Sequence, residues 1–259
     1  MSVESLRADL RMIVRKSPAE IEIMREAGRV SALALRLAGE AVAVGVSTAE
    51  LDRIAEEAIR SQGGIPAFKG YNGFPATLCT SINEQVVHGI PGTRKLRDGD
   101  ILSIDVGAII DGYYGDNART FAVGEVAPRT LRLMEATQKS LESGIAQCRI
   151  GMRLYDVSAA VQRVAEAAGF GIVREYVGHG IGRHMHEEPQ VPNYGPAGKG
   201  PTLQPGMVLA IEPMINEGGA EVRQLDDGWT VVTSDGKPSA HYEHTVAITE
   251  EGPVILTLE

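Results

Sequence analysis

Five side chains hold the chemistry latent in this chain. Asp105, Asp116, His179, Glu212 and Glu243 each stand where a strand pattern sets a charged or imidazole group among apolar neighbours. Burying an unpaired carboxylate is costly, so a strand that keeps one must pair it or give it to a cation. Asp105 closes the run Ile101-Leu102-Ser103-Ile104, and Asp116 follows Asp111-Gly112, a dipeptide suited to a two-residue hairpin turn. With 111 and 112 as the loop, 110 faces 113, 105 faces 118 and 107 faces 116. Asp105 and Asp116 then share a face as diagonal neighbours about 7 to 8 Å apart, within reach of two cations about 3.5 to 4 Å apart. Gly107 and Gly115 are expected to clear space beside them.

Glu212 follows the almost wholly apolar run Met207-Val208-Leu209-Ala210-Ile211, the pattern of a strand covered on both faces. Glu243, within Ala240 to Ile248, reads as lying on the return strand of a hairpin turning at Asp235-Gly236. All six histidines fall in these motif regions, none in a predicted helix. His179, between Gly178 and Gly180, has room to be the nitrogen ligand. His88 and His186, in loops, suit substrate or proton contacts. Four carboxylates with one imidazole suit Mn, Fe, Co or Zn better than a soft-metal centre.

The elements that must hold these groups are legible from caps and periodicity. Ser17-Pro18-Ala19-Glu20 and Ser47-Thr48-Ala49-Glu50 are capping boxes, the first with proline at the first helical position. They predict a first helix ending near Gly45 and a second ending at Gly63-Gly64. Strand-like runs follow at Ala76 to Ile82 and Ile101 to Ile110. Helical patterns return at Pro128 to Ala146 and Leu154 to Ala168, and strands and loops fill the rest from Gly171. The order helix, helix, strands thus occurs twice. Leu96 to Asp105 and Leu203 to Glu212 share L-x-x-G-x-(I/V)-L-x-I-(D/E) at an offset of 212 − 105 = 107, and Gly45 and Gly151 precede equivalent helices at 151 − 45 = 106. Equivalent carboxylates from two pseudo-symmetric halves are therefore expected to meet at their interface. Residues 1–16 read as an N-terminal extension and 17–259 as one catalytic domain with halves at about 17–126 and 127–259.

Composition narrows the function class. A chain of 259 residues that is 43% hydrophobic can bury a full core, and a net charge of −9 argues against nucleic acid or anionic membrane as the main partner. Cys79 and Cys148, in no paired spacing, indicate neither a disulfide framework nor a thiolate zinc site, and fit a reducing cytosol. No stretch approaches the roughly 18 apolar residues of a membrane span, and the charged N-terminus lacks an apolar leader core. A soluble cytoplasmic protein is expected.

Taken together, Ser81-Ile82-Asn83-Glu84 through Val87-His88-Gly89-Ile90-Pro91, Asp105, Asp111-Gly112 with Gly115-Asp116, Gly178-His179-Gly180-Ile181-Gly182 to His186-Glu187-Glu188-Pro189, Ile211-Glu212-Pro213 and Glu243-His244-Thr245 resemble the type I methionine aminopeptidases. The likeness runs from about Ser17 to the C-terminus. It implies the α/β (α+β) pita-bread fold of the creatinase/aminopeptidase class, a curved antiparallel sheet with helices outside. It implies removal of the initiator methionine from nascent polypeptides after deformylation, near the ribosome, when the second residue is small. By the same likeness Asp116 and Glu243 would bridge two divalent metals (Co, Mn, Fe, Zn or Ni), with Asp105 on one and His179 and Glu212 on the other. A water bridging those metals would attack the scissile carbonyl, with Glu212 handling its proton and His88 and His186 contacting the substrate. Tyr71, Phe74, Cys79, Met185 and Trp229 match the methionine side-chain pocket, and Asn83 and Ser239 a monovalent-cation site. The resemblance further implies a monomer that binds neither nucleic acid nor membrane. Phe68 and Val87 stand where the family often has cysteine, Met185 where it has phenylalanine and Tyr114 where it has histidine, so fine substrate preference is open.

Three other readings compete. X-Pro aminopeptidases and prolidases usually carry a separate N-terminal domain, whereas here the first catalytic-half helix is expected near Ser17. Type II methionine aminopeptidases insert helices between the metal histidine and the last glutamate, an interval of only 243 − 179 = 64 here. A binding module of this fold that has lost catalysis would not need all five ligands.

Overall fold

Both capping boxes form. The Ser17 N–H donates to Glu20 Oε2 (2.8 Å) while the Glu20 N–H donates to Ser17 Oγ (3.3 Å), and Ser47 and Glu50 repeat the exchange at 2.9 and 3.4 Å. They start α1 (Pro18–Glu40) and α2 (Thr48–Ser61) in this computed structural model, which describes residues 12–259. The remainder of the expected extension, residues 1–11, lies outside the described residues. The first half continues with β1 (Ile65–Pro66), β2 (Leu78–Ile82), β3 (Gln85–Val87), β4 (Ile101–Ile110) and β5 (Tyr113–Ala122). The second half opens on α3 (Pro128–Ile145) and α4 (Leu154–Ala167) and runs through β6 (Gly171–Ile172), β7 (Gly178–Gly180), β8 (Glu187–Val191), β9 (Val208–Ile211) and β10 (Met214–Asn216). It ends with β11 (Val222–Gln224), β12 (Val231–Thr233), β13 (Ser239–His241), β14 (Glu243–Thr249) and β15 (Gly252–Ile255).

The internal repeat is visible in the hydrogen bonds. The Gly45 N–H donates to Leu96 O and the Leu96 N–H to Val46 O. One half later, the Gly151 N–H donates to Leu203 O and the Leu203 N–H to Met152 O. Isolated bridges Ser47–Lys95 and Arg153–Thr202 accompany them. Helices α2 and α4 begin and end at one offset, 154 − 48 = 106 and 167 − 61 = 106. Helix α1 stops at Glu40 rather than near Gly45, because the Gly45 N–H is spent on this tertiary link and Val42, Val44 and Val46 are poor helix formers.

Each half has its own core. In the first, Val30, Ala34, Leu51 and Ala55 of the helices pack on Leu78, Leu102, Ile104 and Val106; in the second, Leu133, Leu141 and Val157 pack on Leu209, Ile211 and Val246. Burying each large aliphatic side chain contributes about 1.5 to 3 kcal/mol, which fixes the helix-facing side of the sheet and leaves the alternate residues on the other. The nine-stranded antiparallel sheet runs β1-β4-β5-β14-β9-β7-β8, with β2 on β4 and β15 on β14. Pairing of β5 with β14 is the seam between the halves. Smaller sheets β13-β10-β6 and β11-β12-β3 complete the fold.

Two local expectations are corrected. The Asp235-Gly236 turn does not fold β14 back on β12, since β12 already has β11 on one edge and β3 on the other. The chain leaving that turn forms β13 on β10, and Glu243 opens β14 between β5 and β9. Gly115, moreover, clears no space at the site. A Cβ there would lie 2.5 Å from Gly28 N and 2.7 Å from Ala27 C, so it lets α1 lie flat on the opposite face. Gly107 does face the site side, where a Cβ would meet Phe68 and Met185.

Candidate metal centre

The strand register brings the five candidates together. Ile110 pairs with Tyr113, Asp105 with Ala118 and Gly107 with Asp116, the register expected from Asp111-Gly112. Ala118 also pairs with Glu243, and Cys79 with Asp105, so Cys79, Asp105, Ala118 and Glu243 form one row across four strands. His244 pairs with Ile211, which sets Glu212 opposite Glu243 as the row continues just past β9. The adjacent row holds Gly107 and Asp116 on one side of the seam and Ala210 paired with His179 on the other. Thr245 joins these parts, taking a hydrogen bond from the Asp116 N–H (3.0 Å) and donating to Asp116 O (2.8 Å). Because side chains within a row project to one face, four carboxylates and one imidazole converge there. The small side chains of Ala118 and Ala210 leave the space between them open.

The electrostatics are those of a centre built for positive charge. Asp116 and Glu243 are buried, and Asp105 Oδ1, Asp116 Oδ1 and Glu243 Oε1 make no hydrogen bond. Burial, reinforced by mutual repulsion, raises the carboxyls of Asp116 and Glu243 well above the usual range. Burial also raises Asp105, against the pull of His241. Glu212 runs the other way, because His241, His179 and His186 together outweigh its desolvation and hold it below the usual range. Ligand atoms of Asp116, His179 and Glu243 lie within 4.8 Å of one another, as do those of Glu212, His241 and Glu243. Orphaned carboxylate oxygens beside an imidazole are a donor set that a divalent cation satisfies.

The substrate candidates lie beside this centre. Phe74 and Trp229 meet edge to face at 5.1 Å, and His88 stands 6.4 Å from Trp229. The His186 ring lies 4.4 Å from His179, tilted by 58°, and its Nδ1 lies 2.8 Å from the Tyr71 hydroxyl. Phe74, Cys79 and Met185 belong to one buried cluster, against which Tyr71 and Trp229 pack. Burial lowers His88, and enclosure followed by the neighbouring His179 holds His186 down at about 4, although its ring stays open to the cleft. Asn83 and Ser239 are brought together, the Ser239 N–H donating to Asn83 O (2.8 Å), while the Asn83 side chain bonds Asp100 and the Ile101 N–H. A cleft of about 830 Å³ on the opposite face of the sheet, with Asn117 and His244 in its lining, contains none of the five ligand candidates. His241 is the residue that sequence reasoning passed over. Its sequence neighbours carried no signal beyond a histidine two residues before Glu243.

Residues 22–250 match the model of metallopeptidase family M24. The chain belongs to family M24. It is 55% identical to methionine aminopeptidase 1 of Bacillus subtilis over 95% of this chain and 99% of that protein. The crystal structure of methionine aminopeptidase from Rickettsia prowazekii superposes with a TM-score of 0.94 at 42% identity, covering 95% of this chain and all of the other. Prolidase from Pyrococcus furiosus shares the fold alone, at a TM-score of 0.78 and 24% identity over 69% of its own length. The pita-bread architecture expected of an M24 peptidase is the one described above, with the five ligand candidates gathered at the pseudo-symmetry seam. No helix among the described residues is long and apolar enough to cross a membrane.

Proposed function

We propose that this M24 peptidase removes the N-terminal methionine from newly made polypeptides whose second residue is small, acting in the cytoplasm as a monomer. The observation that carries the reading is the contact between two features: a buried acidic centre, and, on the same face, an apolar pocket of Tyr71, Phe74, Cys79, Met185 and Trp229. Aromatic and sulfur groups suit a thioether side chain.

Asp105, Asp116, His179, Glu212 and Glu243 would hold two divalent ions, Co, Mn, Fe, Zn or Ni. Bound there, the ions would supply Lewis-acid polarisation of the scissile carbonyl and acidify the attacking water. Glu212, kept ionised by its imidazole neighbours, is the group suited to take the water's proton and pass it to the leaving amine. His186, held uncharged at neutral pH, is a donor rather than a cation. With the Tyr71 hydroxyl donating to Nδ1, the proton stays on Nε2, available to the carbonyl oxygen as charge develops. His88, against Trp229, reaches the substrate backbone from the other wall. Asn83 and Ser239 would furnish carbonyl and hydroxyl oxygens to a monovalent cation.

The test is methionine release from a Met-Ala peptide, compared with Met-Lys, by metal-stripped protein reloaded with Mn, Co, Fe or Zn. Release from Met-Ala that depends on added metal and falls at least a hundredfold for Met-Lys is expected. Absence of metal-dependent release from Met-Ala would overturn the reading.

A further inference from the structure

Glu212 lies between two imidazoles, one for each carboxylate oxygen. His179 Nε2 is 3.7 Å from Oε1, and His241 Nε2 is 3.3 Å from Oε2. His179 is the nitrogen that clusters with Asp116 and Glu243, so the Oε1 side of Glu212 faces that group. A ring nitrogen of His241 lies within 4.8 Å of carboxylate oxygens of both Glu212 and Glu243, and His241 Nε2 is on the Oε2 side of Glu212.

The backbone of His241 is locked in place. Its N–H donates to Thr120 Oγ1, the Thr120 hydroxyl donates to its carbonyl (both 2.9 Å), and β13 pairs it with Met214. The side chain is only 1% exposed, and Nε2 is buried with no completed hydrogen bond. An imidazole N–H left unmet in a sheet interior costs roughly 1 to 3 kcal/mol. A slight turn of the Glu212 carboxylate completes the bond, because the distance is already within range and only alignment is lacking. A cation taken up on the Oε1 side leaves Oε2 facing His241, and among the described residues no third side chain donates to this carboxylate.

We propose that His241 is a positioning residue of the metal centre: its Nε2–H holds Oε2 of Glu212 and thereby presents Oε1 to the cation. This rests on reading the acidic cluster as a divalent-metal site. A hydrogen-bonded partner behind a ligating carboxylate fixes its orientation and keeps it from swinging to a less productive binding mode, and losing such a partner costs about 10- to 100-fold in metal affinity. The identity of the residue also matters, since Nε2 can either keep its proton and orient Glu212 or lose it and bind metal directly.

The experiment uses the full chain, metal-stripped, with ¹⁵N-labelled histidine, titrated with zinc and followed by NMR alongside calorimetric measurement of zinc affinity. The His241 Nε2–H signal is expected to persist through loading. His241→Phe, which keeps the ring volume without a donor, should weaken zinc binding at least tenfold. His241→Gln, whose amide can donate to Oε2, should recover most of the loss. Disappearance of the Nε2 proton with a metal-bound ¹⁵N shift would overturn the proposal in favour of direct ligation, and wild-type affinity in His241→Phe would overturn it outright. Failure of the wild-type protein to bind zinc, manganese or cobalt would instead overturn the reading of the whole centre. The wild-type NMR signature stands independently of how well either variant folds.

Discussion

The Lys16 ammonium lies 2.6 Å from Glu187 Oε2, with the two side chains only 3% and 7% exposed. The other Glu187 oxygen accepts the His184 N–H (3.1 Å), so the carboxylate closes the turn that carries Met185 and His186. Gly182 makes room for the pair, since a Cβ there would lie 2.4 Å from Lys16 Cε and 2.7 Å from Glu187 Oε1. The Lys16 N–H donates to Gly206 O (2.6 Å), in the turn that leads into β9 and Glu212. One residue ahead of α1 thus ties the loop that carries His186 to the turn that leads into Glu212.

Removing one partner of a buried ion pair strands the other, at a cost of about 3 to 5 kcal/mol. Lys16→Met should therefore lower Tm by roughly 6 to 20 °C, at about 2 to 4 °C per kcal/mol for a chain of this size. Lys16→Met combined with Glu187→Gln should regain at least half of that loss. Thermal unfolding by circular dichroism decides it. A single variant within about 1 °C of wild type would show the pair to be energetically idle.

Tyr71 is expected to act through His186. Burial pushes the Tyr71 hydroxyl up, so it keeps its proton and can donate to Nδ1 at 2.8 Å. Tyr71→Phe preserves the pocket wall but frees the tautomer. The expected result is a kcat lower by roughly tenfold with KM within about threefold of wild type, against a fall of about a hundredfold for His186→Ala. A raised KM with kcat unchanged, read from steady-state kinetics on a Met-Ala peptide, would assign Tyr71 to substrate binding alone.

Much of this site is legible in the one-dimensional pattern because its geometry is local. The Asp111-Gly112 turn sets the β4–β5 register, and with it the diagonal placing of Asp105 and Asp116, since a two-residue loop admits a single pairing. The repeat L-x-x-G-x-(I/V)-L-x-I-(D/E) likewise marks equivalent strands, because each half must bury the same helix-facing side. What escaped is non-local. Periodicity shows which face Glu243 takes but not its partners β5 and β9, while both edges of β12 are taken by β11 and β3. His241 and Lys16 escaped for the same reason. Their partners, Glu212 and Glu187, lie on other elements, and nothing in the neighbouring sequence distinguishes them from a core histidine or a surface lysine.

The acidic centre should be a liability without metal. Asp116 and Glu243 are raised by burial and by the neighbouring carboxylates, so at neutral pH each tends to destabilise the metal-free fold relative to a neutral isostere. Glu243→Gln and Asp116→Asn are expected to abolish methionine release, yet to raise the metal-free Tm by about 2 °C or more. Each should also lose the upward Tm shift that divalent metal gives the wild type, because a ligand stabilises only the state that binds it. Scanning calorimetry with and without manganese measures both effects. A metal-free Tm that falls in both variants would show that these carboxylates support the fold rather than burden it.

Acid stability depends in part on a carboxylate outside the metal centre, Glu20. The Tyr113 hydroxyl donates to Glu20 Oε1 (2.6 Å), and this bond, with those from the Ser17 N–H and hydroxyl, lowers Glu20 from 4.5 to about 2. Arg183 covers the Tyr113 ring at 4.3 Å, joining the start of α1 to the His186 loop. A carboxylate whose folded pKa is depressed contributes stability that is fully present above its unfolded value and is lost as pH falls toward its folded one. Tyr113→Phe removes the largest contributor. At pH 6 to 7 the variant should be less stable by roughly 1 kcal/mol, the modest value suited to a partly solvated carboxylate, or about 2 to 4 °C in Tm. That gap should narrow as pH drops from 4.5 toward 2, where Glu20 takes up its proton in the folded state as well. A Tm difference that is flat or widening over that window would mean the bond does not hold the charge of Glu20, and the link between α1 and the loop would have to come from Arg183 instead.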